Sequence, residues 1–338
     1  MDQIKTFEQC MKDCGEASKS LLIGNGWSIE FHNKFTYTSL LEQLNQEDLN
    51  KKIVEIFDQL KTCDFERVLY SIEKTKKILD ILEPDNKLNP TPYLESLKGS
   101  FLKVLGDIHP RSWDIIESSH PYTQEQIIRL FDEKSSSPRE SLEEKAIIFL
   151  KNFTAYFTIN YDLLLYWLLN KSSLNLDDGF RGYNNKLIFQ ESADQNIFYL
   201  HGGLHLHNSG THKRKYENGN SIIDSMKESM DDHEYPTIVL EGSSESKKEA
   251  INQSPYLHWC YNKFSNINGI IFIHGFSFKE NDEHIYEPIF QNKEITKIFI
   301  GLHENDKDEV KLRAANASKN KLNKENLVFY DAGSIYAK

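Results

Sequence analysis

Leu21-Leu22-Ile23-Gly24-Asn25-Gly26-Trp27-Ser28-Ile29 is the stretch whose reading decides the fold. An apolar run ends in Gly-x-Gly, and a serine follows two residues later. The pattern predicts a buried strand, a tight turn and the start of a helix. Glycine at 24 and 26 lets a ligand approach the backbone, and free N–H groups at a helix start favour phosphate. The third glycine of the dinucleotide fingerprint is missing. Taken alone, the stretch also fits a turn that needs glycine for geometry only.

Composition sets the frame around it. With 338 residues there is room for one large domain or two modest ones, and for a sizeable core. Acidic residues outnumber basic ones by 51 to 40, a net charge of −11, which argues against a protein built to grip nucleic-acid phosphates. Residues 1–20 are polar and carry both signs, so a secretory leader is not expected. The longest apolar stretch, Leu163 to Leu169, is far short of the ~20 residues of a membrane span. The cysteines are Cys10, Cys14, Cys63 and Cys260. One C-x3-C with no answering pair indicates neither a zinc site nor a disulfide framework. Reduced thiols in a cytoplasmic protein are the expectation.

Outward from the glycine turn, residues 1–19 predict a short helix leading into the first strand. Beyond residue 38 the pattern turns helical. Ile53, Ile56, Phe57 and Leu60 recur at helix spacing, as do Phe65, Val68, Leu69 and Ile72. Asn89-Pro90-Thr91-Pro92 breaks the run, and Leu94, Leu97, Phe101, Val104 and Leu105 resume it. Thr123 with Gln126 and Ser141 with Glu144 are capping-box starts, and Ser135-Ser136-Ser137-Pro138 reads as a loop. We therefore read residues 39–144 as an all-helical insertion, and residues 1–38 with 145–338 as an α/β domain. In that domain Tyr156–Ile159, Ile197–Leu200, Thr237–Leu240, Gly269–Ile273, Lys297–Leu302 and Asn326–Tyr330 predict strands. Asp177–Gly182 predicts a turn, and residues 208–233 a polar, mobile loop.

Strands that run apolar without alternation, separated by helices, imply a Rossmann-like, mostly parallel sheet with helices on both faces. In such sheets the ligand crevice lies at the carboxyl ends of the strands. Polar or glycine residues mark several of those ends: Gly24–Ser28, Asn160–Asp162, His201–Gly203 and Gly275–Ser277.

These tips resemble a family. Gly24-Asn25-Gly26-Trp27-Ser28 looks like the G-x-G-x-S turn of sirtuins, and Thr158-Ile159-Asn160-Tyr161-Asp162 like their T-x-N-x-D segment. His201-Gly202 resembles their catalytic His-Gly, and Gly275-Phe276-Ser277 their late G-x-S. The paired Cys-x-x-Cys zinc module of sirtuin deacetylases is absent, and Ile159 stands where they have glutamine. Together with Asp64-Phe65-Glu66 and Asp282-Glu283-His284-Ile285, the pattern is closer to the zinc-less, sirtuin-like proteins of bacterial anti-phage systems, which hydrolyse NAD. The resemblance implies an NAD glycohydrolase, with NAD as substrate and no metal, acting as a regulated abortive-infection effector. A homo-oligomer or an infection-sensing partner protein would hold it inactive. The alternatives are an NAD or ADP-ribose sensor that does not turn its ligand over, and an NAD-dependent deacylase.

On this resemblance Asn160, Asp162 and His201 are the catalytic candidates. Asn160 would position the ribose hydroxyls or the attacking water. Asp162 would bind the nicotinamide amide or stabilise the developing cation, and His201 would be the general base. Gly24, Asn25, Gly26, Trp27, Ser28, Thr158, Gly275, Ser277 and Asp282 would bind the dinucleotide, with Ser277 and Asp282 on the adenosine side.

Plainer readings stand beside these roles. Asn160 and Asp162 could cap the helix that follows. His201 could be a core histidine, or could join His205, His207 and His212 at a metal. Ser277 and Glu241 could be turn residues, and Trp27, Phe31 and Tyr37 core aromatics.

Overall fold

Runs of buried side chains at 20–23, 156–158, 197–199 and 270–274 leave no polar face, so these strands must be covered on both sides. The computed structural model, which describes residues 4–44, 51–83, 88–113, 141–183, 186–214, 221–319 and 326–336, builds them into one sheet. The strands are β1 (Lys19–Ile23), β2 (Ala155–Thr158), β3 (Phe180–Tyr183), β4 (Lys186–Phe189), β5 (Ile197–Tyr199), β6 (Leu206–His207), β7 (His212–Lys213), β8 (Gly269–His274), β9 (Ile295–Leu302) and β10 (Leu327–Asp331). The main sheet runs β10-β9-β8-β1-β2-β5, and every pair in it is parallel.

Read from the β5 edge and counted along the chain, these six strands lie third, second, first, fourth, fifth, sixth. That is the doubly wound order, with its reversal between β1 and β8. The Rossmann-like reading of the sequence therefore holds. Helices Leu164–Lys171, Pro255–Ser265, Glu283–Gln291 and Lys307–Ala317 connect successive strands. No helix among the described residues is long and apolar enough to cross a membrane.

The helical insertion follows the predicted periodicity. Helices Tyr37–Leu44, Lys51–Leu60, Phe65–Leu82 and Thr91–Ile108 bury Leu40, Ile53, Phe57, Phe65, Val68, Leu69, Leu97 and Phe101. Those side chains join one continuous apolar cluster with the sheet. Ser141 and Glu144 form the predicted capping box of helix Leu142–Leu150. Thr123, Gln126 and Ser135–Pro138 lie outside the described residues.

Three local expectations are corrected. The Asp177–Gly182 turn runs directly into β3, which pairs in a second, antiparallel sheet ordered β3-β4-β7-β6. The described part of 208–233 is not a plain loop. It carries β7 and helix Ile222–Asp231, which Ser221 and Asp224 start as a capping box. Thr237–Leu240 is not a sheet strand. Pro236 brings no N–H, and the segment makes a single antiparallel bridge, Ile238 to Gly202.

Candidate functional site

The switch point between β1 and β8 is filled by two glycine turns pressed together. The Gly24 N–H donates to the His274 carbonyl at 2.9 Å, and the Gly26 N–H to the Gly275 carbonyl at 2.8 Å. A Cβ on Gly24 would lie 2.5 Å from the Gly275 oxygen, and one on Gly26 would lie 2.8 Å from the Gly275 Cα. Both glycines are thus required for turn-to-turn contact. The ring of Trp27 lies in the core, edge-on to Phe31 at 4.8 Å. Asn25 donates from Nδ2 to the Phe35 carbonyl at 3.2 Å.

Beside the turn, at the end of β2, lies a buried polar knot. Asn160 Nδ2 donates to the Gly24 carbonyl at 3.1 Å and to Ser28 Oγ at 2.7 Å. Ser28 Oγ in turn donates to Asp162 Oδ2 at 2.6 Å. Asp162 Oδ1 accepts the N–H of Leu164, the first residue of the next helix, at 2.9 Å, although the N-cap position itself is Leu163. Thr158 Oγ1 accepts the Asn160 N–H at 3.0 Å and fixes the bend. Burial raises the Asp162 carboxyl above its ordinary range, against the pull of Ser28 and the Leu164 amide. Asn160 Oδ1 is buried and has no protein partner. An orphaned buried acceptor costs roughly 1–3 kcal/mol, which a ligand hydroxyl would offset.

His201 reaches the same edge from β5. Thr158 and Tyr199 are register partners, and Asn160 and His201 each lie two residues beyond them. A tight turn follows His201. Gly202 has φ +78°, and a Cβ there would lie 2.0 Å from the Thr237 oxygen. His201 is buried, and its Nε2 lies 2.8 Å from His284 Nε2 with the rings 15° apart. His284 Nδ1 lies 3.2 Å from Ser244 Oγ, which also accepts the His284 backbone N–H at 2.8 Å. Burial, then the neighbouring His284 and Lys247, push the His201 imidazole well below its ordinary value. His284 falls to about 3, chiefly through burial. Both rings are neutral at pH 7.

Asp282 belongs to this histidine pair. Its Oδ1 accepts from Lys247 Nζ at 2.8 Å, and Lys247 also donates to Glu66 Oε2 at 2.9 Å. Asn281 Nδ2 reaches the same Glu66 oxygen. Lys247 is fully buried; burial would pull its ammonium down, but Asp282 and Glu66 outweigh that and raise it. Glu66 comes from the first turn of helix Phe65–Leu82, which Asp64 caps through the N–H groups of Glu66 and Arg67. The helical insertion therefore supplies a charged residue to the site. Ser277 is half-buried and takes Arg313 Nη1 on its carbonyl at 3.3 Å.

Among the described residues, His201, Asp282 and His284 are the group whose ligand atoms approach one another closely enough for a metal, within 4.8 Å. The Lys247 ammonium already places a cation on Asp282. The four-histidine alternative is not realised: His201 pairs with His284, His205 packs against Tyr199, and His207 faces His212. With β5 ending at Tyr199, no continuous strand aligns His201 with His205 and His207. Glu241 pairs with Lys98 of the insertion at 2.8 Å rather than standing in a free turn.

Sequence reasoning missed Lys247 and Ser244, and named His284 only within a motif. The sole signal for Lys247 was its spacing. It lies four residues before Ile251, and both face inward from helix Ser244–Gln253. For Ser244 there was none.

A family model described as a domain of unknown function (DUF4917) matches residues 21–336, and the chain belongs to that family. No curated protein matches it.

Proposed function

We propose that this DUF4917 member is an NAD glycohydrolase of the sirtuin-like type, which cleaves NAD to nicotinamide and ADP-ribose. One observation carries the reading. The buried Asn160 carboxamide has its donor side spent on Gly24 and Ser28 and its acceptor side unpaired, and His201 lies two residues past Tyr199, the register partner of Thr158. A fixed amide acceptor and a neutral imidazole past the ends of two adjacent strands suit the control of a ribose hydroxyl or a water molecule.

The reaction asks little else of the protein. The bond between ribose C1′ and the pyridinium nitrogen breaks, and its electron pair neutralises the nitrogen of the departing nicotinamide. Positive charge spreads over the ribose, and the Asp162 carboxylate offsets it. Water adds to C1′ and gives its proton to His201, while Asn160 Oδ1 orients the hydroxyl or the water. The turn Gly24-Asn25-Gly26-Trp27-Ser28, with Thr158, Gly275 and Ser277, takes the rest of the dinucleotide. No metal enters the scheme.

Asn160, Asp162, Ser28, His201 and Asp282 are all buried. Substrate therefore reaches them only after residues above the site move. That burial supports control of the enzyme by self-assembly or by a protein partner, as an anti-phage effector in the cytoplasm would require. It equally favours the second reading, a sensor that binds NAD or ADP-ribose without turnover.

The test is incubation of the full chain with NAD, alone and with lysate from phage-infected cells, followed by separation of nicotinamide and ADP-ribose. Equimolar products from the wild type, reduced at least about 100-fold in Asn160→Ala and His201→Ala, are expected. NAD binding without products in either condition would favour the sensor. Absence of both would overturn the proposal.

A further inference from the structure

The His201–His284–Ser244 chain runs from a buried ring to a half-buried hydroxyl, and no catalytic scheme above uses its last two members. A 2.8 Å contact between two imidazole Nε2 atoms needs one proton between them. Two arrangements satisfy it. Either His201 donates and His284 accepts, or the reverse. Only the first leaves an unprotonated nitrogen on His201 outside the pair, at Nδ1. In that arrangement His284 carries its proton on Nδ1 and donates it to Ser244 Oγ. That oxygen already accepts the His284 backbone N–H.

We propose that His284 and Ser244 are positioning residues that hold His201 in its Nε2–H form and relay the hydrolytic proton outward. The inference rests on the reading that His201 takes a proton from the attacking water. When His201 Nδ1 takes that proton, its Nε2 proton passes to His284 Nε2. The His284 Nδ1 proton passes to Ser244 Oγ, and the Ser244 hydroxyl proton leaves to solvent. One proton enters, one leaves, and no charge stays in the buried site. This matters because burial makes a lasting imidazolium costly at both rings. Asp282, Lys247, Lys248 and Glu245 are the charged groups that act on His284; Lys247 is the charged group that acts on His201, beside the titratable His284 ring. With the Lys247 ammonium on Asp282, the group works as a hydrogen-bonded chain rather than a cation cage.

Two measurements on the full chain test this. The first needs no turnover: imidazole 15N spectra of histidine-labelled wild type, assigned with single-histidine variants. Nε2–H on His201 together with Nδ1–H on His284 is expected. The opposite tautomers would overturn the relay, as would a stoichiometric divalent metal that is lost in His284→Ala.

The second is steady-state NAD hydrolysis against pH. His284→Ala and His284→Gln should each lower kcat about 100-fold, with KM within about threefold, and shift the acidic limb of the kcat profile. Added imidazole should restore part of the rate to His284→Ala. Ser244→Ala should lose about tenfold in kcat. Glutamine keeps the hydrogen bond but passes no proton, so near-wild-type rates in His284→Gln would reduce His284 to a packing role and overturn the relay. A wild type that shows the expected tautomers but cleaves no NAD, either alone or with lysate from phage-infected cells, would instead refute the glycohydrolase reading.

Discussion

Gly275 shows how much a single residue decides at the switch point. Its φ is +69°, and a Cβ there would lie 2.2 Å from the Trp27 nitrogen. Neither the backbone angle nor the neighbour can give way, because the opposing atom is main chain. Gly275→Ala should therefore cost more than about 1 kcal/mol in urea unfolding. Gly99 offers the opposite case. It lies inside helix Thr91–Ile108, and nothing stands within 4 Å of the Cβ it lacks. Gly99→Ala should stabilise the chain by roughly 0.5–1 kcal/mol. If both substitutions moved stability the same way, the two glycines would not have these separate roles. The sequence marked Gly24 and Gly26 as special, for ligand approach or for turn geometry alone, and Gly275 as part of the late Gly-x-Ser. Their mutual contact was illegible because it joins turns about 250 residues apart. The partner of His201 was hidden for the same reason, being 83 residues further on.

At the scale of elements, legibility followed length. The helix Phe65–Leu82 spans 18 residues, and its 3.6-residue pattern at Phe65, Val68, Leu69 and Ile72 is plain in the sequence. β6 and β7 have two residues each, too few to show any period, and the small sheet went unseen. What the pattern could not show at all is how the insertion is fastened to the sheet. Lys247 of helix Ser244–Gln253 bridges Glu66 of the insertion and Asp282 of the α/β body, wholly out of water. A buried charge left without its partner is strongly destabilising. Lys247→Ala strands two carboxylates and should lose about 3–5 kcal/mol in chemical unfolding. Glu66→Gln and Asp282→Asn added to that variant should recover part of the loss, because a neutral amide is cheaper to bury. No recovery would mean that Lys247 contributes by packing alone.

For the whole molecule, buried histidines set the response to acid. His109 and His207 are held to about 4 and His284 to about 3, all chiefly by burial, while burial takes His201 and His205 well below the ordinary value. Above pH ~6.5 these groups are neutral both folded and unfolded, and their full contribution to stability is present. As the pH falls below that value, the unfolded chain binds protons that the folded chain refuses, and stability drains away until the folded values are passed. Asp162 and Glu66 act in the opposite sense, since burial raises both carboxyls and acid relieves their cost. Two such groups do not offset five histidines. The unfolding free energy should therefore drop steeply from pH 7 to pH 5. His109 isolates one share of that drop. Its Nε2 accepts the Leu163 N–H at 2.9 Å while Nδ1 donates to the Pro110 carbonyl at 2.6 Å, which fixes the ring as neutral. Glutamine can make a similar pair of bonds and does not titrate. Between the same two pH values, His109→Gln should lose about 2 kcal/mol less than the wild type. An unchanged pH dependence in that variant would show that the His109 ring can take a proton without unfolding the chain. The cap on helix Leu164–Lys171, and with it the anchor beneath Asp162, would then be looser than its geometry indicates.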